Sequence, residues 1–236
     1  MRPIIAVMSC ERDAANGCHD AIRRTWAAHM VPGLDYKIFV GQGTRALAPD
    51  EERLDVIDDY AHLPEKSQAM RKWSLEHGYE WMLKIDRDTF LSPKRFMSSG
   101  FEQHDYVGYF PYVPEGSGFK HHQTPKGPVP AAADARGAYI YASGGCGYTL
   151  SKRAMERMVA APLDEKRLDN QGNPAEDLWV PNVLFPSGIR GYHDPRYLFM
   201  GDRLSGDAIT VHLGAWQQGY AAHRMDDCYR VSAGML

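Results

Sequence analysis

Two rhythms of apolar and polar residues run through this chain. Short, mainly apolar runs occupy residues 4–9, 36–40 and 81–85, with Lys37 and Lys84 the charged positions inside them. Runs of that length with no polar face read as strands covered on both sides. The stretches between them carry a helical period. Ile22, Trp26 and Met30 fall four apart over residues 20–30, and Pro32-Gly33 stops that pattern. Lys66, Met70, Trp73 and His77 make one stripe of a helix that begins near Pro64 and ends at Gly78. Residues 53–58 read as a third, shorter strand. The order β-α-β-β-α-β predicts an α/β domain with a mostly parallel sheet.

The second half is looser. Residues 106–110 read as a strand. Residues 111–137, rich in Pro, Gly, Ala and His, read as a long excursion, either a binding loop or a surface loop. A strand over 138–142 runs into Ser143-Gly144-Gly145-Cys146-Gly147, where three glycines allow a close approach to the backbone. Ser151 caps a helix through residue 159. Another helix starts at residue 174 and carries Val180, Leu184 and Phe185 on its apolar face. Residues 208–212 form a last strand ending in His212. No repeat and no shift in composition divides the chain, so one domain over residues 1–236 is expected.

Composition narrows the function classes. The 236 residues include 27 Lys and Arg against 30 Asp and Glu, a net charge of -3, so no basic field points to nucleic acid. No apolar run approaches the roughly 20 residues of a membrane span. The start of the chain enters a strand at once, with no room for a signal peptide. A soluble, cytoplasmic protein is the expectation. The four cysteines have no C-x-x-C spacing and read as scattered buried thiols.

The chemistry collects at strand ends. Trp81 to Ile85 leads into Asp86-Arg87-Asp88, two carboxylates at i and i+2 of an extended segment, projecting to one side. Such a pair repels itself when buried and suits a hard divalent cation, especially one that also carries a diphosphate. A solvated turn is the plain alternative. Glu176 and Asp177 begin a helix, where carboxylates also suit the helix dipole. His212 becomes a metal ligand if it faces Asp88, and is otherwise a rim residue. His121 and His122 are either solvated or metal-binding.

Several motifs in fixed order carry a resemblance. Ile22-Arg23-Arg24-Thr25-Trp26 resembles the I-R-x-T-W helix of the beta-1,3-galactosyltransferase and Fringe-like glycosyltransferases (glycosyltransferase family 31). Phe39-Val40-Gly41 is similar to the strand end that follows it. Asp58-Asp59-Tyr60 with Leu63-Pro64-Glu65-Lys66 resembles D-F-x-D-x-Y-x-N-L-T-x-K, and residues 84–90 resemble K-x-D-D-D-x-F. Residues 141–151 are similar to Y-x-S-G-x-G-Y-x-L-S, and Glu176-Asp177-Leu178 to E-D-V. Two positions depart from the pattern: Arg87 replaces the middle acid, and His19 replaces the arginine that opens the first helix motif.

The resemblance implies a GT-A fold, a Rossmann-like α/β/α sandwich that binds a UDP-sugar and Mn²⁺ or Mg²⁺. It implies an inverting transfer of a hexose or N-acetylhexosamine to a glycan or glycoconjugate hydroxyl, in a beta-1,3 linkage. Asp86, Asp88 and His212 would hold the metal. Ser9, Arg23, Lys66, Asp86, Arg87, Gly144 and Gly145 would line the nucleotide sugar, with Ser9 near uracil. Asp177 would be the general base. Tyr148, Trp179 and Trp216 either stack on sugar faces or belong to the core. A nucleotide-sugar-forming nucleotidyltransferase would want a glycine-rich basic loop near the N-terminus, which residues 9–17 lack. A non-catalytic sugar-binding module would have no use for Asp86, Asp88 and Asp177 together.

Overall fold

The computed structural model describes residues 1–110, 129–130, 141–163, 175–199, 206–214 and 220–232. His121, His122 and Trp216, and most of the 111–137 excursion, lie outside them. The first half follows the apolar runs. Strand β1 (Pro3–Met8) pairs in parallel with β2 (Asp35–Val40) on one side and β4 (Trp81–Asp86) on the other. Strand β3 (Glu51–Arg53) adds in parallel beyond β2. The third strand therefore ends well before the expected residues 53–58. Val40 is paired with Arg53, and Leu54 N–H closes on Val40 C=O. Past that point β2 has run out, and Ile57 is exposed.

Completing the sheet are β6 (Tyr106–Gly108), β7 (Val129–Pro130), β8 (Tyr148–Ser151) and β9 (Gly191–His193), in the order β3-β2-β1-β4-β8-β6-β9-β7. Strand β8 runs antiparallel to both β4 and β6, and β9 returns parallel to β6. The strand expected at 138–142 is displaced: Tyr141 and Ala142 are not in a strand, residues 138–140 lie outside the described part, and β8 starts after the glycine turn. A small second sheet orders β10 (Tyr197–Leu198), β11 (Thr210–His212) and β5 (Thr89–Leu91).

Side-chain alternation sorts the core into two layers. Ile4, Ala6, Met8 and Met82 face the cluster built with α3 (Leu63–Glu76), α5 (Lys152–Ala160) and α6 (Glu176–Leu184). Ile5, Val7, Leu83 and Ile85 face the cluster built with α2 (Cys18–Arg24), α4 (Pro93–Met97) and α7 (Tyr220–Ser232). The result is an α/β/α sandwich. A five-residue helix, α1 (Glu11–Ala15), precedes α2. The helix expected over 20–30 is broken at Thr25, whose hydroxyl bonds back to Ala21 C=O, and it continues as a 3₁₀ turn, Trp26–His29. Ser151 caps α5 as expected, accepting from Ala154 N–H at 3.2 Å. Among the described residues no helix is long and apolar enough to cross a membrane.

The chain leaves β1 toward β2 and β3, then returns to β4 on the other flank of β1. That makes the β1/β4 boundary the point where the winding reverses, and ligands of open α/β sheets bind there, beyond the strand carboxyl ends. Ser9 follows β1 directly and Asp86 closes β4.

Candidate active site

Met82, Lys84 and Asp86 share one face of β4, the face toward α6. Lys84 is a charge in the middle of a buried strand, and its surroundings answer it. Its ammonium lies 2.8 Å from Asp86 Oδ1 and 2.6 Å from Glu176 Oε1, and donates to Gly144 C=O at 3.3 Å. Burial alone would pull its pKa down, but Asp86 and Glu176 hold it well above the ordinary lysine value. Glu176 also accepts from Tyr148 OH at 2.6 Å and Ser67 Oγ at 3.1 Å, with the fully buried Arg71 at 3.5 Å. Burial opposes its charge, yet Lys84 and Arg71 keep its pKa below the usual carboxylate value.

Asp177, the next residue, forms no ion pair among the described residues, although the Lys84 charge acts on it from nearby. Its Oδ2 accepts from Gly144 N–H at 2.8 Å, and part of its side chain stays open to solvent. Crowding by surrounding protein and the Glu176 charge push its pKa up to about 7, against the Gly144 hydrogen bond. A carboxylate poised there is suited to taking a proton near neutral pH. Two adjacent acids at one helix start thus have opposite characters: Glu176 is a locked anion and Asp177 a basic one.

The extended D-x-D geometry expected from the sequence is corrected. Strand β4 stops at Asp86, and Arg87-Asp88 turn into β5. Asp86 faces Lys84, and its pKa is raised by burial and by the Asp88 charge, against the pull of Lys84. Asp88 is turned toward the small sheet. There β11 runs antiparallel to β5, with His212 opposite Thr89, and Leu213 N–H bonds Asp88 C=O. That register brings His212 Nδ1 to 3.8 Å from Asp88 Oδ1. The same Nδ1 is buried and has no hydrogen-bond partner among the described residues. A buried, unpaired imidazole nitrogen beside a carboxylate fits a divalent ion that takes one nitrogen and oxygen ligands. Among the described residues no three of His, Cys, Asp or Glu form a ready-made cage; Asp86 is spent on Lys84, which leaves most of an ion's shell to phosphate and water.

The glycine turn lies between these two halves. Gly147 sits at φ +86 and a side chain there would strike Ile85 and the Lys84 carbonyl. A Cβ on Gly144 would meet Glu176, Lys84 and Asp177, and one on Gly145 would meet the His212 ring. Thr89 and Thr210 hydroxyls tie the turn down through Gly145 C=O at 2.7 Å and Cys146 C=O at 2.6 Å. The close approach expected at these glycines is made by Lys84, Glu176 and Asp177 at Gly144 and by His212 at Gly145.

On the β1 side, Ser9 Oγ lies 2.7 Å from His19 Nε2, and Ser9 C=O accepts from Lys66 Nζ at 2.8 Å. Lys66 is buried and paired with Asp58. Arg87 reaches back to Asp13 on α1 at 2.8 Å. Arg23 lies away from β4: its guanidinium is divided among Asp20, Asp50 and Glu51, over the start of β3 and three strands from β4, and it meets the Ser9 side only through Glu51, which His19 also bonds. Tyr148 and Trp179 are core residues, both almost wholly buried. Sequence reasoning missed the roles of Lys84, Arg71, Glu176 and the pair His19 and Glu51. The signal for Lys84 was present, a lone lysine inside an apolar strand.

Comparison with known proteins completes the description. The model of the family described as Fringe-like matches residues 57–184, which hold Asp58, Lys66, Asp86, Asp88, the glycine turn, Glu176 and Asp177. No curated protein matches the chain. Among solved structures, a crystal structure of a glycosyltransferase involved in the glycosylation of the major capsid of PBCV-1 is similar in fold. It has 15% sequence identity and a TM-score of 0.55, with 96% of this chain and 100% of that chain covered.

Proposed function

Since the chain belongs to the Fringe-like family and is a glycosyltransferase, we propose that it is an inverting, metal-dependent GT-A enzyme. It moves a hexose or N-acetylhexosamine from a UDP-sugar to a hydroxyl of a glycan or glycoconjugate, in a beta-1,3 linkage. The observation that carries this reading is the hydrogen-bonded path Asp86–Lys84–Gly144–Asp177. It joins Asp86, at the carboxyl end of β4, to Asp177, whose pKa is pushed up to about 7.

In this reading Asp177 accepts the proton of the acceptor hydroxyl. The hydroxyl oxygen bonds to the anomeric carbon, and the bond from that carbon to the β-phosphate oxygen breaks, releasing UDP. One displacement inverts the centre. Asp88 and His212 would hold Mn²⁺ or Mg²⁺, next to Asp86, which Lys84 holds. Bound there, the ion would neutralise charge on the departing diphosphate. Lys66 fixes the Ser9 carbonyl and so the mouth of β1, and Gly144 N–H aims the Asp177 carboxylate. Positioned proton transfer contributes on the order of 10² to 10⁴ in rate.

The test pairs calorimetry of UDP-sugar binding with a transfer assay on Asp177→Asn. Binding should survive while transfer is lost. Wild-type turnover in the variant removes Asp177 from the role of base.

A further inference from the structure

The far end of the sheet holds a buried histidine that the reaction above does not use. Strands β4, β6 and β9 run parallel, with β8 antiparallel between β4 and β6, so their carboxyl ends share one edge. Asp86, Gly108 and His193 are the last residues of those three strands. The glycine turn that feeds β8 lies at the same edge, and Ser143 N–H ties it to Tyr109 C=O at 2.8 Å. From His193 a row of rings crosses back to the proposed ion site. Measured between ring centres, Tyr109 stands edge-on to His193 at 5.4 Å, Phe199 lies nearly parallel to Tyr109 at 6.1 Å, and His212 is 5.8 Å from Phe199.

His193 is only 4% exposed. Its Nδ1 accepts from Phe110 N–H at 3.0 Å, so that nitrogen carries no proton. Burial pulls its pKa below the ordinary histidine value, against the charge of Asp194, and the ring is neutral. The single ring proton is therefore on Nε2, which is buried and has no hydrogen-bond partner among the described residues. A buried N–H donor left unpaired is costly, and an oxygen brought by a ligand satisfies it. The row that leads to it is open at its other end, where Phe199, His212 and the nearby Asp177 are each partly exposed.

We infer that this row is the acceptor subsite: an acceptor sugar packs its C–H face on Phe199 and Tyr109 and gives one of its oxygens to His193 Nε2–H. This deepens the proposed glycosyl transfer and rests on it. A sugar ring has apolar faces and a rim of oxygens, so aromatic walls with one fixed polar group suit it. A neutral imidazole with one proton suits an uncharged oxygen, a hydroxyl or the carbonyl of an N-acetyl group, rather than a phosphate. The place fits the acceptor rather than the donor. The nucleotide belongs where the winding reverses, between β1 and β4. His193 lies three strands beyond β4, on the side away from β1. With Nδ1 held by the backbone, His193 selects the acceptor and takes no proton in the transfer.

UDP release from UDP-galactose, UDP-glucose and UDP-N-acetylglucosamine in manganese tests this. The probe acceptors are the methyl β-glycosides of galactose, glucose, xylose and N-acetylglucosamine, and lactose. Calorimetry with UDP and thermal melts accompany each protein. At least one glycoside should speed UDP release by the wild type. With that glycoside, His193→Asn keeps an oxygen for Phe110 N–H but drops the Nε2 donor, and should raise the acceptor KM by about ten-fold, the scale of one hydrogen bond. The donor KM and UDP affinity should hold. His193→Gln, which returns an N–H near the Nε2 position, should recover part of the loss. Phe199→Leu should raise the acceptor KM as well, and it decides alone if the His193 variants fail to fold. An unchanged acceptor KM, as expected if a buried water satisfies Nε2, overturns the subsite, and so does a rise in the donor KM instead. UDP binding with no glycoside speeding UDP release also overturns it, while the UDP donor stands. A wild type that does not bind UDP overturns the donor reading, and this inference with it.

Discussion

Lys84 Nζ lies 2.6 Å from Glu176 Oε1, although β4 and α6 are more than ninety positions apart in the chain. The same ammonium holds Asp86. One buried cation therefore joins the two acidic motifs, and their proximity is a property of that pair rather than of either motif. It also divides labour at the start of α6. With Lys84 and Arg71 committed to Glu176, the adjacent Asp177 is left with a backbone N–H and, among the described residues, no ion pair of its own.

Replacing Lys84 with Met should therefore damage the fold and the site together. It strands Glu176 and Asp86 in a buried setting, and breaking such a pair from one side costs about 3–5 kcal/mol. The urea midpoint should fall accordingly. The double variant Lys84→Met with Glu176→Gln should recover part of the loss, because the stranded charge is gone. Equal midpoints for the single and double variants would argue against the pairing as the cause.

The pH dependence follows from Asp177. Its folded pKa of about 7 lies above the roughly 3.9 of an unfolded aspartate. The fold thus favours the protonated acid. The stability tied to that proton is complete below about pH 4 and gone above about pH 7. A base must be ionised, so kcat/KM should rise with pH through about 7. Asp177→Asn should melt higher than the wild type at pH 8, with the difference closing toward pH 4. An Asp177→Asn variant that melts lower at pH 8 would contradict the raised pKa.

Much of this was legible in the sequence. The mainly apolar runs at 4–9, 36–40 and 81–85 became β1, β2 and β4 because strands in the middle of a covered sheet bury most of their side chains, Lys84 being the charged exception in β4. The α/β class, the family and the glycosyltransferase activity were all readable from motifs in order. What failed was local and had local causes. The run of 53–58 lost its partner when β2 ended. Tyr148-Thr149-Leu150-Ser151 forms β8, a strand the sequence reading does not contain, since it has only the Ser151 helix cap there. The final helix α7, tied to α2 by Arg24 and Asp226, was not anticipated at all. Contacts between distant elements leave little trace in one sequence, which is why Lys84 with Glu176 and His19 with Glu51 went unread.

Divalent ions should matter through His212 and Asp88. The unpartnered Nδ1 of His212 beside Asp88 is the feature that a cation would satisfy. Manganese should bind in the presence of UDP, and His212→Ala or Asp88→Asn should weaken that binding by at least about ten-fold. EDTA should abolish transfer. Titration calorimetry with manganese, with and without UDP, checks the ion apart from turnover. Unchanged manganese affinity in both variants would place the ion elsewhere.

Gly145 gives the most selective probe of that histidine. A methyl group at this position would come within 2.7 Å of the imidazole Cε1, 2.8 Å of Nε2 and 2.9 Å of Cδ2. Real contacts are not that short, so in Gly145→Ala the ring must swing away from Asp88. Overpacking of this kind typically costs about 1–3 kcal/mol. The same substitution made in a His212→Ala background meets no ring and should cost far less. Urea unfolding of the four proteins in this cycle isolates the clash, and manganese binding to Gly145→Ala should weaken toward the level of His212→Ala. A cost that is the same in both backgrounds would mean that the glycine is required by the turn itself, and that His212 is not held against it.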